Sequence, residues 1–118
     1  KKLTSEGLVV GTLEYMAPEQ LEGKAADERS DIYALTVLLF EMLTGLMPYD
    51  ATNTRALMMQ QLAGRSRLPS SLRKDLPPEC GADQIVARGL SRKPEDRYQK
   101  VSELAEAAQQ LLNSISRN

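Results

Sequence analysis

The side chains in this sequence that could do chemistry are carboxylates, guanidinium groups and hydroxyls, because the 118 residues contain no histidine and a single cysteine, Cys80. Losing histidine removes the commonest general base and metal ligand. One cysteine can neither close an intramolecular disulfide nor build a cysteine-only zinc cage, so no metal site is expected. With no histidine to activate it, Cys80 reads as a packed thiol rather than a nucleophile. What remains clusters in two short stretches, Gly11-Thr12-Leu13-Glu14-Tyr15-Met16-Ala17-Pro18-Glu19-Gln20 and Pro94-Glu95-Asp96-Arg97-Tyr98, with Asp31 between them. Taken singly, Glu19 and Arg97 read as solvated charges, Thr12 as a loop hydroxyl, and Asp31 as an acid favoured near a helix start by the dipole. Met58 and Met59 read as core filler, or as an adaptable docking face.

These residues need elements to position them. Residues 1 to 15, with Gly7, Gly11, Thr4, Ser5 and Thr12, have loop chemistry with a brief apolar patch at Leu8 to Val10. Pro18 followed by Glu19, Gln20, Leu21 and Glu22 predicts a short helix closed by Gly23. Ser30 as cap, Asp31 in the first turn and Gly45 ahead of Pro48 delimit a long helix. Between Ile32 and Leu43 only Glu41 is charged. A helix apolar nearly all round belongs at the centre of a fold. Residues 54 to 63 predict a further helix with Leu57, Met58 and Leu62 on one side and Gly64 as its stop, and residues 65 to 78, rich in Pro and Ser, predict a loop. Ile85, Val86 and Leu90 mark a helix that Pro94 prevents from continuing. Val101, Leu104, Ala108, Leu111, Leu112 and Ile115 recur at spacings of three and four, an amphipathic helix laid against the core. No alternating strand pattern is visible, so the class is all-α.

Composition excludes several functions. With 15 basic and 16 acidic residues and a net charge of −1, the chain has no positive field to gather nucleic acid. Aromatic residues make up 4%, too few for a stacking platform. The longest apolar run, Ile32 to Phe40, is about half of what a bilayer needs, and Lys1 and Lys2 are not followed by the apolar core of a signal peptide. No internal repeat interrupts what reads as one unit.

The first stretch resembles the end of a protein-kinase activation segment, with Ala17-Pro18-Glu19 as its Ala-Pro-Glu element. Order and spacing strengthen the resemblance: Ser30-Asp31-Ile32-Tyr33-Ala34-Leu35 opens an apolar helix ending Glu41-Met42-Leu43-Thr44-Gly45, then come Pro48-Tyr49 and Pro94-Glu95-Asp96-Arg97-Tyr98. The chain is thus similar, over nearly its whole length, to the helical C-terminal lobe of a bacterial-type, eukaryotic-like serine/threonine kinase. This implies a central buried helix surrounded by four or more helices, with residues 1–20 as activation segment and substrate loop and 21–118 as helical subdomain.

By the same resemblance, Gly11, Thr12 and Tyr15 bind substrate. Thr12 stands where tyrosine kinases usually have proline, which implies serine/threonine substrates. Glu19 and Arg97 match a buried ion pair tying the Ala-Pro-Glu element to the loop before the last helix, and Asp31 matches an aspartate that accepts hydrogen bonds from the catalytic loop. Thr4 and Ser5 lie where activation loops are phosphorylated; a phosphate there adds roughly 1.5 to 2 negative charges and can order a loop against an arginine. Thr36 departs from the family, whose members often have glycine there, and its hydroxyl can bond back to the preceding turn.

The Gly-rich loop, the lysine strand, the His-Arg-Asp loop and the Asp-Phe-Gly motif that hold and transfer phosphate do not occur in this sequence. In the family all precede the position matched by Lys1, so the chain is expected to start within the activation segment of a longer parent. The resemblance then implies ATP and Mg2+ for the parent and no catalytic residue or cofactor within these 118 residues. Expected partners are protein substrates, the N-terminal half of the kinase domain and a second copy of the chain, with residues 1 to 25 exchangeable between copies. A cytoplasmic location is expected, with no membrane segment here and any anchor elsewhere in the parent. Two other readings are a pseudokinase or scaffold, decided by the parent's upstream residues, and a free-standing helical interaction module, favoured by an initiating methionine close to Lys1.

Overall fold

The computed structural model describes residues 13–116; Thr4, Ser5, Gly11 and Thr12 lie outside the described residues. Six α-helices follow in order among the described residues: α1 (Pro18–Leu21), α2 (Glu28–Thr44), α3 (Thr54–Ala63), α4 (Pro69–Leu72), α5 (Ala82–Gly89) and α6 (Val101–Ser116). Single 3-10 turns at Pro78–Cys80 and Pro94–Asp96 flank α5. There is no strand among the described residues.

The long helix α2 starts earlier than Ser30 suggests. Asp27 is its cap, accepting a hydrogen bond from Arg29 N at 2.9 Å, while the Ser30 hydroxyl reaches back to Asp27 N at 3.3 Å. Ser30 is therefore the third residue of the helix, which frees its hydroxyl hydrogen for another partner. Glu28 and Asp31 complement the dipole in the first turn. At the other end Gly45 takes the left-handed conformation, with φ of 75°, and its amide closes on Glu41 O at 2.7 Å.

Packing, rather than propensity, holds α2 helical. Ile32, Tyr33, Val37 and Phe40 are completely buried, and such side chains contribute about 1.5 to 3 kcal/mol each, against a few tenths lost to β-branching. The helix divides the core in two: Ile32 and Leu43 join Ile85, Leu104 and Leu111 on one side, while Tyr33, Val37 and Phe40 meet Ala17, Tyr49, Val86 and Leu90 on the other. Helices α4, α5 and α6 all pack on α2. One stripe stays open: Leu35 is 41% exposed, Leu38 43% and Met42 70%. Together with Val101, Ala105, Ala108 and Leu112 of α6 they line an apolar groove.

Two other features differ from the sequence expectation. Residues 65 to 78 are not all loop, because Pro69 sits at the first position of α4 and Pro78 starts a 3-10 turn; proline is pre-organised for such starts. The turn of α4 is held by Asp83 of α5, which accepts hydrogen bonds from Ser70 N at 3.0 Å and Ser70 Oγ at 2.6 Å. In α3 the apolar residues Leu57, Met58 and Leu62 are only half-buried. The one fully buried residue there is polar, Gln61.

Candidate functional site

The short helix α1 carries the Ala17-Pro18-Glu19 element at its start. Pro18 opens it, and Gln20 Oε1 accepts a hydrogen bond from Ala17 N at 2.9 Å, occupying a donor the helix leaves free. Ala17, with no exposed surface, is pressed into the core beside Tyr33 and Val86. Glu19 therefore points inward, and is 7% exposed.

Across 78 residues of sequence the structure brings Arg97 to it. Arg97 Nη1 donates to Glu19 Oε2 at 2.8 Å and Nη2 to Oε1 at 2.7 Å, a two-pronged pair. The remaining three N–H groups of Arg97 go to the backbone: Nε to Ser91 O at 2.7 Å, Nη1 to Arg29 O at 3.0 Å and Nη2 to Arg92 O at 3.2 Å. All five guanidinium donors are thus used, and the Tyr33 ring lies under the group at 5.1 Å. Ser30 Oγ adds a third hydrogen bond to the carboxylate, at 2.7 Å to Oε2. Burial by itself pushes the Glu19 carboxyl up, but hydrogen bonds from Arg97, Ser30 and a backbone amide, together with the Arg97 charge, outweigh it and hold the group down at about 2. The clamp ties α1, the start of α2 and the loop before α6 into one unit. Arg92 adds a weaker, more exposed link from Glu22 at 2.8 Å to Leu62 O at 2.6 Å.

Upstream of α1 the chain makes a turn, with Met16 N donating to Leu13 O at 3.1 Å. Two side chains hold it. Tyr15 donates its hydroxyl to Glu41 Oε1 of α2 at 2.8 Å; that hydrogen bond, then burial, then the charges of Glu41 and Glu14 push the phenol up from its ordinary value. From α3, Gln61 Nε2 donates to Leu13 O at 2.8 Å and to Met16 O at 3.4 Å. Beside the turn, Leu13 and Glu14 face Ala51, Thr52, Asn53, Thr54 and Leu57 across a shallow hollow of mixed polarity.

Asp31 is exposed in the first turn of α2 and its side chain has no partner among the described residues. Thr36 is fully buried and donates to Ile32 O at 2.7 Å. Facing it on α5 is Gly89, where an added Cβ would overlap the Thr36 side chain. Cys80 is buried. Glu41 and Gln61 were invisible as site residues in the sequence: Glu41 stood out as the lone charge of an apolar helix, but nothing in α3 distinguished Gln61 from its neighbour Gln60.

A chain with this helical order and this clamp is a protein-kinase C-terminal lobe, and the comparisons agree. The family model "Protein kinase domain" matches residues 1–116, so the chain belongs to the protein kinase family. Among curated relatives, it is 43% identical to the serine/threonine-protein kinase PknH of Mycobacterium tuberculosis over 96% of this chain and 18% of that protein. It is 39% identical to the serine/threonine-protein kinase PknD of the same species over 95% of the chain and 17% of that protein. A relative named tyrosine-protein kinase MasK, from Myxococcus xanthus, is 42% identical over 93% of the chain and 17% of its own length. The chain therefore spans less than a fifth of these relatives. The twitchin kinase region of C. elegans superimposes with a TM-score of 0.72 at 23% identity, covering 82% of this chain and 17% of that one, which shows the fold.

Proposed function

We propose that this chain is the substrate-side part of a serine/threonine protein kinase, which transfers the ATP γ-phosphate to Ser or Thr of proteins. Its share of the work is docking and scaffolding. Residues 11–17 form the docking loop: Gly11 and Thr12 receive the residue beside the acceptor hydroxyl, and Tyr15 braces the loop on Glu41. The observation that carries this reading is the fully satisfied Glu19–Arg97 clamp, which fixes the residues after Thr12 to the most buried part of the fold. Such pre-organisation is what a loop that must present a peptide in one geometry requires.

ATP and Mg2+ belong to the whole kinase in this proposal. Among the described residues no group of three or more His, Cys, Asp or Glu side chains could hold a metal ion. ATP and Mg2+ are held by other parts of the kinase domain, which also supply the donors for the unpartnered Asp31 carboxylate. That remainder of the domain is the partner whose packing covers the open stripe of α2, and Thr4 and Ser5 are the phosphate acceptors of its regulation. Use of ATP places the domain in the cytoplasm; no helix among the described residues is long and apolar enough to cross a membrane.

Phosphoamino-acid analysis tests the specificity. Incubated with Mg–ATP and casein, the whole kinase is expected to yield phosphoserine and phosphothreonine. Phosphotyrosine alone would overturn the role given to Thr12, and is a pointed outcome because a relative as similar as 42% is named a tyrosine kinase.

A further inference from the structure

Gln61 is the one completely buried residue of α3, a helix whose other faces are half-buried or exposed. A polar side chain in that place has to be explained, since an aliphatic residue would fill the slot without polar atoms to satisfy. Its amide nitrogen reaches 48 residues back to Leu13 O at 2.8 Å and also contacts Met16 O at 3.4 Å. Those are the two carbonyls at either end of the turn that the Met16 N to Leu13 O bond closes. Both partners being carbonyls, the amide orientation is fixed, with nitrogen toward the turn. Gln61 Oε1, in consequence, faces away and is buried with no hydrogen-bond partner among the described residues.

We infer that Gln61 is a positioning residue for the peptide-docking loop, setting the height of the Leu13–Met16 turn above α3 and so the place of Tyr15 within it. The inference rests on the reading of residues 11–17 as that loop. Tyr15 and Gln61 hold the turn from two directions, since the phenol ties it laterally to Glu41 of α2 and the amide ties it from beneath to α3. The clamp at Glu19 lies beyond the turn and cannot replace either. Gln61 touches neither the nucleotide nor the reacting hydroxyl, so its loss should appear in protein-substrate affinity and leave ATP affinity alone.

The whole kinase carrying Gln61→Met, of similar length without an N–H, is compared with Gln61→His, which keeps a ring N–H donor, and with the unaltered enzyme. Amide hydrogen exchange at residues 13–17 is expected to quicken in Gln61→Met by about tenfold or more, with exchange in α2 and α5 unchanged. The KM for casein should rise about tenfold while the KM for ATP stays within about twofold, and Gln61→His should recover much of both effects. Unchanged exchange at residues 13–17 would overturn the inference, as would equal increases in the two KM values or faster exchange throughout the fold. If the unaltered kinase does not phosphorylate casein while exchange at 13–17 responds as expected, the fault lies with the docking-loop reading and the hold of Gln61 on the turn stands.

Discussion

Arg97 is among the largest fully buried side chains described, and a guanidinium survives there only because every donor is met. Removing its partner leaves the charge without a carboxylate, and removing Arg97 strands Glu19. Arg97→Met is therefore expected to lower unfolding free energy by about 3 to 5 kcal/mol, read from urea denaturation; a loss under about 1 kcal/mol would mean the pair is ornamental. Its pH dependence follows from the Glu19 carboxyl. Because folding holds this group at about 2, below its unfolded value of roughly 4.3, the ionised form favours the fold. The stabilisation is complete above about pH 5 and drains away as pH falls toward 2. In Glu19→Gln that acid-linked loss should be smaller over the same interval. The sequence disclosed this pair through the two motifs that carry it, whereas the role of Ser30 in it was hidden, since Ser30 resembled a helix cap and the cap proved to be Asp27.

At the scale of helices, Thr36 of α2 and Gly89 of α5 meet where the two helices pack. Thr36 is fully buried on its face of α2, and Gly89 makes room for its side chain. Gly89→Ala should cost about 1 to 3 kcal/mol through overpacking, and Thr36→Gly combined with Gly89→Ala should recover part of that loss, a coupling of about 0.5 to 3 kcal/mol in a double-mutant cycle. Additive effects would show that the two positions do not meet. Apolar patterning together with capping residues and prolines made α2, α3, α5 and α6 legible, although in α3 the apolar side chains are only half-buried and the fully buried residue is Gln61. It failed at α4, where four residues are too short for a period to register and Asp83, remote in sequence, holds the turn.

For the molecule as a whole, Leu35, Leu38 and Met42 form an open apolar stripe along α2. The apolar character of α2 foretold a central helix, but the sequence alone does not say which of its sides the remaining helices leave bare. The 118-residue chain by itself is expected to self-associate through that stripe at high concentration. Sedimentation should show Leu38→Lys shifting the population toward monomer; a strictly monomeric unaltered chain would remove the argument.

The proposed division of labour within the kinase is open to one direct measurement, titration of Mg–ATP into the isolated 118-residue chain and into the whole kinase, followed by thermal midpoint. The whole kinase should be stabilised by nucleotide and the isolated chain should not shift at all. A nucleotide-dependent shift in the isolated chain would contradict the assignment of these residues to docking and scaffold.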